Sequence, residues 1–264
     1  NEPITLHTSD EFGDLAGALN IIAEDLNNFD DYQRAFISNI SHDFRSPLTS
    51  IHGYAQAMLD GTIPYEAQEK YLNIILSETD RLTNLTSNLL ELNSFNGDNV
   101  LLDITTFNIC ETIVQTVNTL EGTAAKKEIS FVLDYNTQKE LLVEADESKI
   151  HQVLYNLIDN AVKFSHNNSE IKISLRKKGA KVFVSVKDSG IGIPKESLNK
   201  VFDRFYKTDI SRGKDKRGTG LGLSISKEIV QAHNQTINVV STVDVGTEFV
   251  FTLKYHSKKQ EASS

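Results

Sequence analysis

Gly218-Thr219-Gly220-Leu221-Gly222-Leu223 is the stretch that decides the fold of the second half of this chain. It follows a charged segment and leads into an apolar-periodic helix that begins near Ser224. Glycines at a helix N-terminus let backbone N–H groups approach an anion, and the helix dipole favours negative charge there. The spacing matches neither a G-x-x-x-x-G-K-[ST] loop nor a strand-led G-x-G-x-x-G. The stretch therefore predicts a phosphate cradle of another type, with a structural glycine-rich turn as the alternative.

A predicted helix upstream carries polar groups on a single face. The apolar spacing of Val153–Phe164 is helical, and it places Asn156, Asn160 and Lys163 at positions i, i+4 and i+7. Side chains with this spacing lie on one side of a helix. Two amides and a cation are therefore available together.

Two loops complete the pattern. Asp188-Ser189-Gly190-Ile191-Gly192 follows the apolar run 182–186, so a carboxylate and two glycines come where a predicted strand ends. Residues 201–207, Val-Phe-Asp-Arg-Phe-Tyr-Lys, supply aromatic and cationic side chains just before a lid-like segment at 208–217. The four segments, in this order, resemble the ATP-binding domain of bacterial sensor histidine kinases in the GHKL superfamily.

The resemblance implies ATP and Mg²⁺ as cofactors and assigns roles residue by residue. Asn160 would give an amide oxygen to Mg²⁺ with Asn156 nearby, and Asp188 would accept a hydrogen bond from the adenine amino group. Lys163, Arg204 and Lys207 would neutralise phosphate charge. Phe164 stands where the family often has Tyr. The nucleotide-binding set implied by the resemblance is Asn156, Asn160, Lys163, Phe164, Asp188, Gly190, Gly192, Arg204, Tyr206, Lys207, Gly218, Thr219, Gly220, Leu221, Gly222, Leu223 and Thr247, with Asn160 as the metal ligand.

The N-terminal part has heptad spacing. Apolar residues recur every three or four positions from Phe12 to Phe29, with polar residues between them, which favours a coiled-coil dimer over a core helix. Together with Pro3 and residues 10–13, this stretch looks like the second helix of a HAMP linker. The apolar phase continues to Ala55, and spacings of four on both sides of Phe44 predict a local stutter.

His42 is the candidate phosphate acceptor. It lies two residues after apolar Ile40, about 200° round a helix, and is therefore expected to face water. Residues 42–48, His-Asp-Phe-Arg-Ser-Pro-Leu, resemble the phospho-acceptor box of the same kinases, which implies catalytic roles for His42, Asp43 and Ser46. The family usually has Glu after the histidine, so Asp43 is one methylene short for its expected role of orienting or deprotonating His42. Pro47 predicts a kink beside it.

Composition limits the function classes. The chain has 264 residues, a net charge of −9 and one cysteine, Cys110. A single cysteine excludes an intrachain disulfide framework, and the acidic balance disfavours nucleic-acid binding. No run of about 18 apolar residues is present. We therefore expect membrane attachment only through an N-terminal region absent from this sequence, and the resemblance implies the cytoplasmic portion of a bacterial membrane receptor.

The predicted fold class is α and α/β. Gly61-Thr62-Ile63-Pro64 ends the first long helix, and 66–95 reads as its antiparallel return, with leucines at 82, 85, 89 and 92 in heptad phase. Two such hairpins would form a dimeric antiparallel four-helix bundle, preceded by a coiled coil. Strands are predicted at 101–106, 129–134, 141–145, 170–177, 181–187, 236–242 and 248–254, with helices at 109–126, 148–164 and 221–232, which indicates a GHKL-type α/β sandwich. The predicted domains are a HAMP-like helix at 1–29, a dimerisation and histidine phosphotransfer domain at 30–96, a catalytic ATP-binding domain at 97–256 and a polar tail at 257–264.

The predicted function is that of a sensor histidine kinase that phosphorylates His42 from ATP and passes the phosphoryl group to an aspartate of a response regulator. Phosphatase activity toward the phospho-regulator is also expected. Two alternatives stay open: a GHKL ATPase and a non-catalytic dimeric signalling scaffold. The ATPases carry a Glu one turn before the metal-binding Asn to activate water, whereas Asn156 fills that position here.

Overall fold

A computed structural model describes residues 11–94, 101–135, 140–208 and 218–257. The chain divides into two compact units, Asn1–Thr83 and Asn84–Ser264. Pro3, residues 95–100, the lid-like segment after residue 208 and nearly all of the polar tail lie outside the described residues. Among the described helices, none combines the length and hydrophobicity that a membrane span requires.

Two long helices make up the N-terminal part. Helix α1 spans Glu11–Leu59 and contains Pro47, and helix α2 spans Gln68–Ser94. The predicted break between them is confirmed, because Gly61 has a φ of +76° and a short 3-10 turn occupies Tyr65–Ala67. This turn explains why α2 starts two residues later than predicted.

The heptad pattern fits the observed burial of α2. Leu85 and Leu92 are buried, while Leu82 and Leu89 are half-buried. On α1 the apolar side chains at positions 12, 15, 19 and 22 are exposed in the single chain. The remaining predicted seam residues, Leu26 and Phe29, lie on α1, but their side chains are outside the described ones.

The second unit contains the end of α2 and, after it, a layer of three helices on a mixed sheet. The helices are α3 (Ile109–Ala125), α4 (Glu147–Phe164) and α5 (Gly222–Ala232). The described strands are β1 (Thr105–Asn108), β2 (Ser130–Tyr135), β3 (Leu142–Ala145), β4 (Glu170–Lys178), β5 (Lys181–Lys187), β6 (Ile237–Thr242) and β7 (Gly246–Tyr255). They run in the order β1-β3-β7-β5-β4-β2, and β6 also pairs with β7.

Two predicted strand boundaries are corrected by the pairing. The first strand was expected at 101–106, but β1 covers Thr105–Asn108 because only these residues pair with β3. Strand β7 begins at Gly246 rather than at residue 248, since Gly246 and Thr247 already pair with β6.

The core explains the orientation of the polar faces. Helix α4 buries an apolar stripe from Ile150 to Val162 and packs between α3 and α5. Strands β4, β5 and β7 bury alternate residues, as period-2 patterning requires. Because the apolar stripe of α4 faces the core, its amides and Lys163 remain outside it. The end of β5 then delivers Asp188 next to the loop between β6 and β7.

Candidate nucleotide-binding site

Asp188 is a buried carboxylate with one occupied oxygen. Its Oδ1 accepts hydrogen bonds from the N–H groups of Gly190 at 3.0 Å and Thr247 at 3.1 Å. Its Oδ2 accepts none from a described residue. Burial raises the pKa of Asp188 to about 6, and the two N–H donors only partly offset that effect. The second oxygen is therefore an available hydrogen-bond acceptor on a largely buried carboxylate.

Glycines around Asp188 are required by close backbone contacts. A Cβ on Gly190 would lie 2.3 Å from the carbonyl oxygen of Phe164, and one on Gly246 would lie 2.0 Å from the carbonyl oxygen of Asp188. Gly192 has a φ of +67°, and a Cβ there would lie 2.1 Å from the carbonyl oxygen of Thr242. These contacts lock the loop after β5 against the end of α4 and the β6–β7 turn.

The two predicted amides on α4 differ in their surroundings. The Asn156 amide donates to the carbonyl oxygen of Gly222 at 3.1 Å and to Oγ of Ser226 at 3.3 Å. Asn160 is half-buried, and its side chain makes no hydrogen bond within the described part of the chain. Asn156 thus joins α4 to α5, whereas the Asn160 amide oxygen is available to a ligand.

The start of α5 is suited to an anion. The residue preceding the helix is Leu221, which is fully buried and supplies no side-chain cap, and no acidic residue lies in the first turn. Gly220 has a φ of +71°, and a Cβ there would meet the backbone of Phe205 at 2.8 Å. The N–H of Phe205 donates to the Gly220 carbonyl at 2.9 Å. The aromatic segment 201–207 is therefore held against the glycine stretch.

The three predicted phosphate-neutralising cations already have partners on the protein. Lys163 pairs with Asp159 at 2.7 Å, Arg204 pairs with Glu228 at 3.2 Å, and Lys207 donates to the carbonyl oxygen of Gly218. Each stays next to the site, since Lys163 lies on α4 and the other two flank the glycine stretch. Each of the three cations is therefore paired with a protein group in this structure.

The remaining predicted residues lie at the rim of the same region. The hydroxyl of Tyr206 donates to Ser197 Oγ at 2.9 Å, and the Thr247 hydroxyl lies 2.9 Å from Ser241 Oγ. Phe164 and Leu223 are half-buried. Gly218 and Thr219 precede α5, and the Thr219 hydroxyl accepts from the N–H of Leu221 at 3.3 Å.

Some contributors were not predicted from the sequence. Ser226 accepts from Asn156, and a spacing of four from Gly222 on one helix face could have revealed it. Ser241 accepts from the N–H of Ile193 at 2.8 Å and donates to the Gly246 carbonyl at 2.8 Å, so it joins two loops. Nothing in the local sequence marks Ser241, because its role depends on which strands become neighbours.

The acceptor histidine lies in the first unit, on α1. The side chain of His42 is 83% exposed, which confirms the expectation that it faces water. Its Nδ1 lies 3.7 Å from Oδ1 of Asp43, close enough for electrostatic contact but longer than a hydrogen bond. Ser46 is exposed, and its hydroxyl makes no hydrogen bond to another described residue.

Comparisons with known proteins match both parts of the chain. Residues 145–257 match the sequence model of the family described as Histidine kinase-, DNA gyrase B-, and HSP90-like ATPase. Residues 32–97 match that of the His Kinase A (phospho-acceptor) domain. The matched residues include Asn160 and Asp188 in the first range and His42 in the second.

Named relatives agree with these matches. The chain is 34% identical over 258 residues to the sensor histidine kinase WalK of Bacillus subtilis, which covers 95% of this chain and 42% of the relative. The solved catalytic domain of histidine kinase ThkA is 35% identical, with a TM-score of 0.52, over 58% of this chain and 95% of that one. ThkA in complex with response regulator protein TrrA is 31% identical with a TM-score of 0.68, over 86% of this chain and 63% of that one. The chain thus spans less than half the length of the Bacillus relative.

Proposed function

The chain belongs to the sensor histidine kinase family, and on that premise we propose that it transfers the γ-phosphoryl group of ATP to His42. We further propose that it then passes that group to an aspartate of a response regulator. Within this proposal, residues 30–96 form the dimerisation and phosphotransfer domain and residues 97–256 the catalytic domain. The chain would work as a homodimer and as the cytoplasmic portion of a membrane receptor.

The observation that carries the nucleotide assignment is the half-satisfied carboxylate of Asp188. Its Oδ1 is held by two backbone donors, and its Oδ2 accepts nothing from a described residue. The adenine amino group is a donor of matching type. Because the carboxylate is largely buried and its Oδ2 has no donor among the described residues, a ligand that supplies a donor there is favoured. Thr247 lies next to this carboxylate, and Ser241 in turn contacts the Thr247 hydroxyl.

The phosphate end of the nucleotide is assigned to the start of α5. Uncapped N–H groups, bare glycine backbone and the positive end of the helix dipole all favour negative charge there. Arg204 and Lys207 lie beside this helix start, and Lys163 lies on the neighbouring α4. Exchange of their present protein partners for phosphate oxygens would keep each cation paired.

The residues present fit Mg²⁺ held mainly by water and phosphate oxygens. No group of three His, Cys, Asp or Glu side chains that could hold a metal occurs in the described ranges. Asn160 offers one amide oxygen, which suits a hard cation that keeps most of its waters. Mg²⁺ bound there would neutralise charge on the phosphates.

The acceptor chemistry is assigned to three residues of α1. With a proton on Nδ1 facing Asp43, the other ring nitrogen of His42 is neutral and can attack the γ-phosphorus as the bond to ADP breaks. The Asp43 carboxylate stabilises the positive charge that develops on the ring. Ser46, four residues further on, lies one turn away with a free hydroxyl. We assign it to hydrolysis of the phospho-regulator.

The two alternative functions make different demands. A water-activating ATPase needs a carboxylate one turn before Asn160, and Asn156 is an amide whose donors are directed at Gly222 and Ser226. An amide is not a general base, so transfer to a histidine is favoured over transfer to water. A non-catalytic scaffold would not need the free oxygens of Asp188 and Asn160.

Labelled ATP tests the proposal. The chain is incubated with Mg²⁺ and ATP labelled either in the γ- or in the α-phosphate, and protein-bound label is counted. We expect γ-label only, lost in Asn160→Asp and kept in the matched surface variant Asn167→Asp. ADP release without protein-bound label would support the ATPase alternative, and no turnover would support the scaffold.

A further inference from the structure

Helix α4 ends with all four of its final carbonyl groups occupied. These groups belong to Ala161, Val162, Lys163 and Phe164, which a helix leaves without intrahelical partners. Ala161 accepts from the N–H of Ser165 at 3.0 Å, and Phe164 accepts from the N–H of Ile191 at 3.3 Å. The two groups between them accept from one side chain, because Lys127 Nζ donates to the carbonyl of Val162 at 2.8 Å and to that of Lys163 at 2.6 Å.

Lys127 itself is fixed from both sides. It lies in the turn between α3 and β2, where its N–H donates to the Ala124 carbonyl at 2.9 Å. Its own carbonyl accepts from the N–H of Asn168 at 3.0 Å, just beyond the end of α4. Glu128, the next residue, holds the turn with a φ of +55°. The ammonium group is therefore delivered to the helix end by a backbone that has little freedom to move away.

The end of α4 is the part that the nucleotide site depends on. Lys163 and Phe164 are its last two residues, and Asn160 lies one turn before them. The Phe164 carbonyl is also the atom packed against Gly190 in the loop after Asp188. A shift of this last turn would move the metal-ligating amide and loosen the Asp188 loop together. A positive charge at a helix C-terminus also stabilises the helix, because it lies next to the negative end of the helix dipole.

We infer that Lys127 is a positioning residue for ATP, which sets the last turn of α4 by capping the Val162 and Lys163 carbonyls. The inference rests on the proposed nucleotide site but concerns a residue outside the predicted set, since Lys127 donates to backbone carbonyl groups of α4 in this role. Removal of the ammonium group should weaken nucleotide affinity more than it lowers kcat. The site would still assemble, but only in the fraction of molecules whose helix end is ordered.

The test compares Lys127→Met, Lys127→Arg and the control Lys126→Met in the full chain. Methionine keeps an unbranched side chain but has no charge and no N–H donors. Arginine keeps the positive charge and the donors. Lys126 is an exposed neighbour in the sequence and serves as the control. We expect Lys127→Met to weaken Mg-ATP binding and raise KM about tenfold, with kcat changed less than about twofold. Lys127→Arg should recover most of that loss, and Lys126→Met should match the unaltered chain.

Amide hydrogen exchange supplies the second readout. The N–H of Ser165, which closes the last turn onto Ala161, should exchange faster in Lys127→Met and at the original rate in Lys127→Arg. Unchanged exchange and unchanged KM in Lys127→Met would overturn the inference, as would an arginine variant as impaired as the methionine variant. If the unaltered chain bound no ATP, the proposed site would fall, while the exchange at Ser165 would still decide whether Lys127 orders α4. As a control for folding, Lys127→Arg should unfold at the same temperature as the unaltered chain.

Discussion

Asp188 and Thr247 hold each other through two reciprocal hydrogen bonds. The Asp188 N–H donates to the Thr247 carbonyl at 2.8 Å, and the Thr247 N–H donates to Asp188 Oδ1 at 3.1 Å. The pair ties the end of β5 to the start of β7. It fixes the carboxylate in a largely buried place where its charge is not fully compensated, and this lowers the stability of the unliganded protein.

Substitution of Asp188 by Asn should separate those two properties. Asn keeps an oxygen for the Gly190 and Thr247 donors but presents an amide donor where Oδ2 was, so the adenine amino group loses its acceptor. We expect ATP binding to fall at least about a hundredfold, while the unliganded protein gains about 1–3 kcal/mol at neutral pH. Calorimetry and denaturant unfolding measure the two effects. Asp134→Asn, at an exposed ion pair, is the control that should change neither by much.

The pH dependence follows from the same group. Burial raises the pKa of Asp188 from its ordinary value of 3.8 to about 6, so the folded state binds more protons than the unfolded state between these two pH values. Asp188 should therefore lower the stability of the unliganded protein as pH rises from about 4 to about 6, with no further change above that. Nucleotide affinity should run the opposite way, because binding needs the ionised carboxylate. A stability difference between Asp188→Asn and the unaltered chain that does not vary over this range would contradict the assignment.

Gly246 and Gly122 should respond oppositely to alanine. At Gly246, φ is +139° and a Cβ would lie 2.0 Å from the Asp188 carbonyl, whereas Gly122 lies in α3 with open space around it. We expect Gly246→Ala to cost about 3 kcal/mol and to weaken ATP binding. Gly122→Ala should stabilise by about 0.5–1 kcal/mol through its helix preference. Urea unfolding of both variants checks the pair, and similar effects at the two positions would refute this account.

Asp43 and Ser46 should carry different activities. Asp43→Asn removes the carboxylate 3.7 Å from the His42 ring and should slow autophosphorylation about a hundredfold. Ser46→Ala should lose most phosphatase activity while autophosphorylation survives, because its hydroxyl is free to position water. Label incorporation from ATP and decay of a purified phospho-regulator measure the two activities. Ser41→Ala is the control, since that hydroxyl is bound to the Ile37 carbonyl. Equal losses of both activities in both variants would indicate a general distortion around Pro47.

The sequence predicted the elements that carry a strong local pattern. Alternation predicted β4 and β5, and apolar spacing predicted α3, α4 and α5 to within one residue at each end. The start of β1 was wrong because a strand begins where a partner exists, and residues before Thr105 have none in β3.

The turn after α5 reads His233-Asn234-Gln235. Asn234 adopts a φ of +55° there, and its N–H donates to the Gln231 carbonyl at 2.8 Å. Asparagine tolerates this conformation better than most residues, so the helix cap is kept.

Contacts between distant segments could not be read from the sequence. Whether Asn156 meets a metal or the Gly222 carbonyl depends on how α4 packs on α5, and the link from Lys127 to the end of α4 spans 35 residues. Such pairings are set by packing, and no local spacing encodes them.

The central claim is that His42 accepts the γ-phosphoryl group of ATP. The most direct measurement is mass spectrometry, under conditions that preserve phosphohistidine, of the chain after incubation with Mg-ATP. One phosphoryl group should be found on His42, absent from His42→Gln and present in His52→Gln, a neighbouring exposed histidine of α1. Acid-labile phosphate that persists in His42→Gln, or that maps to another residue, would contradict the account.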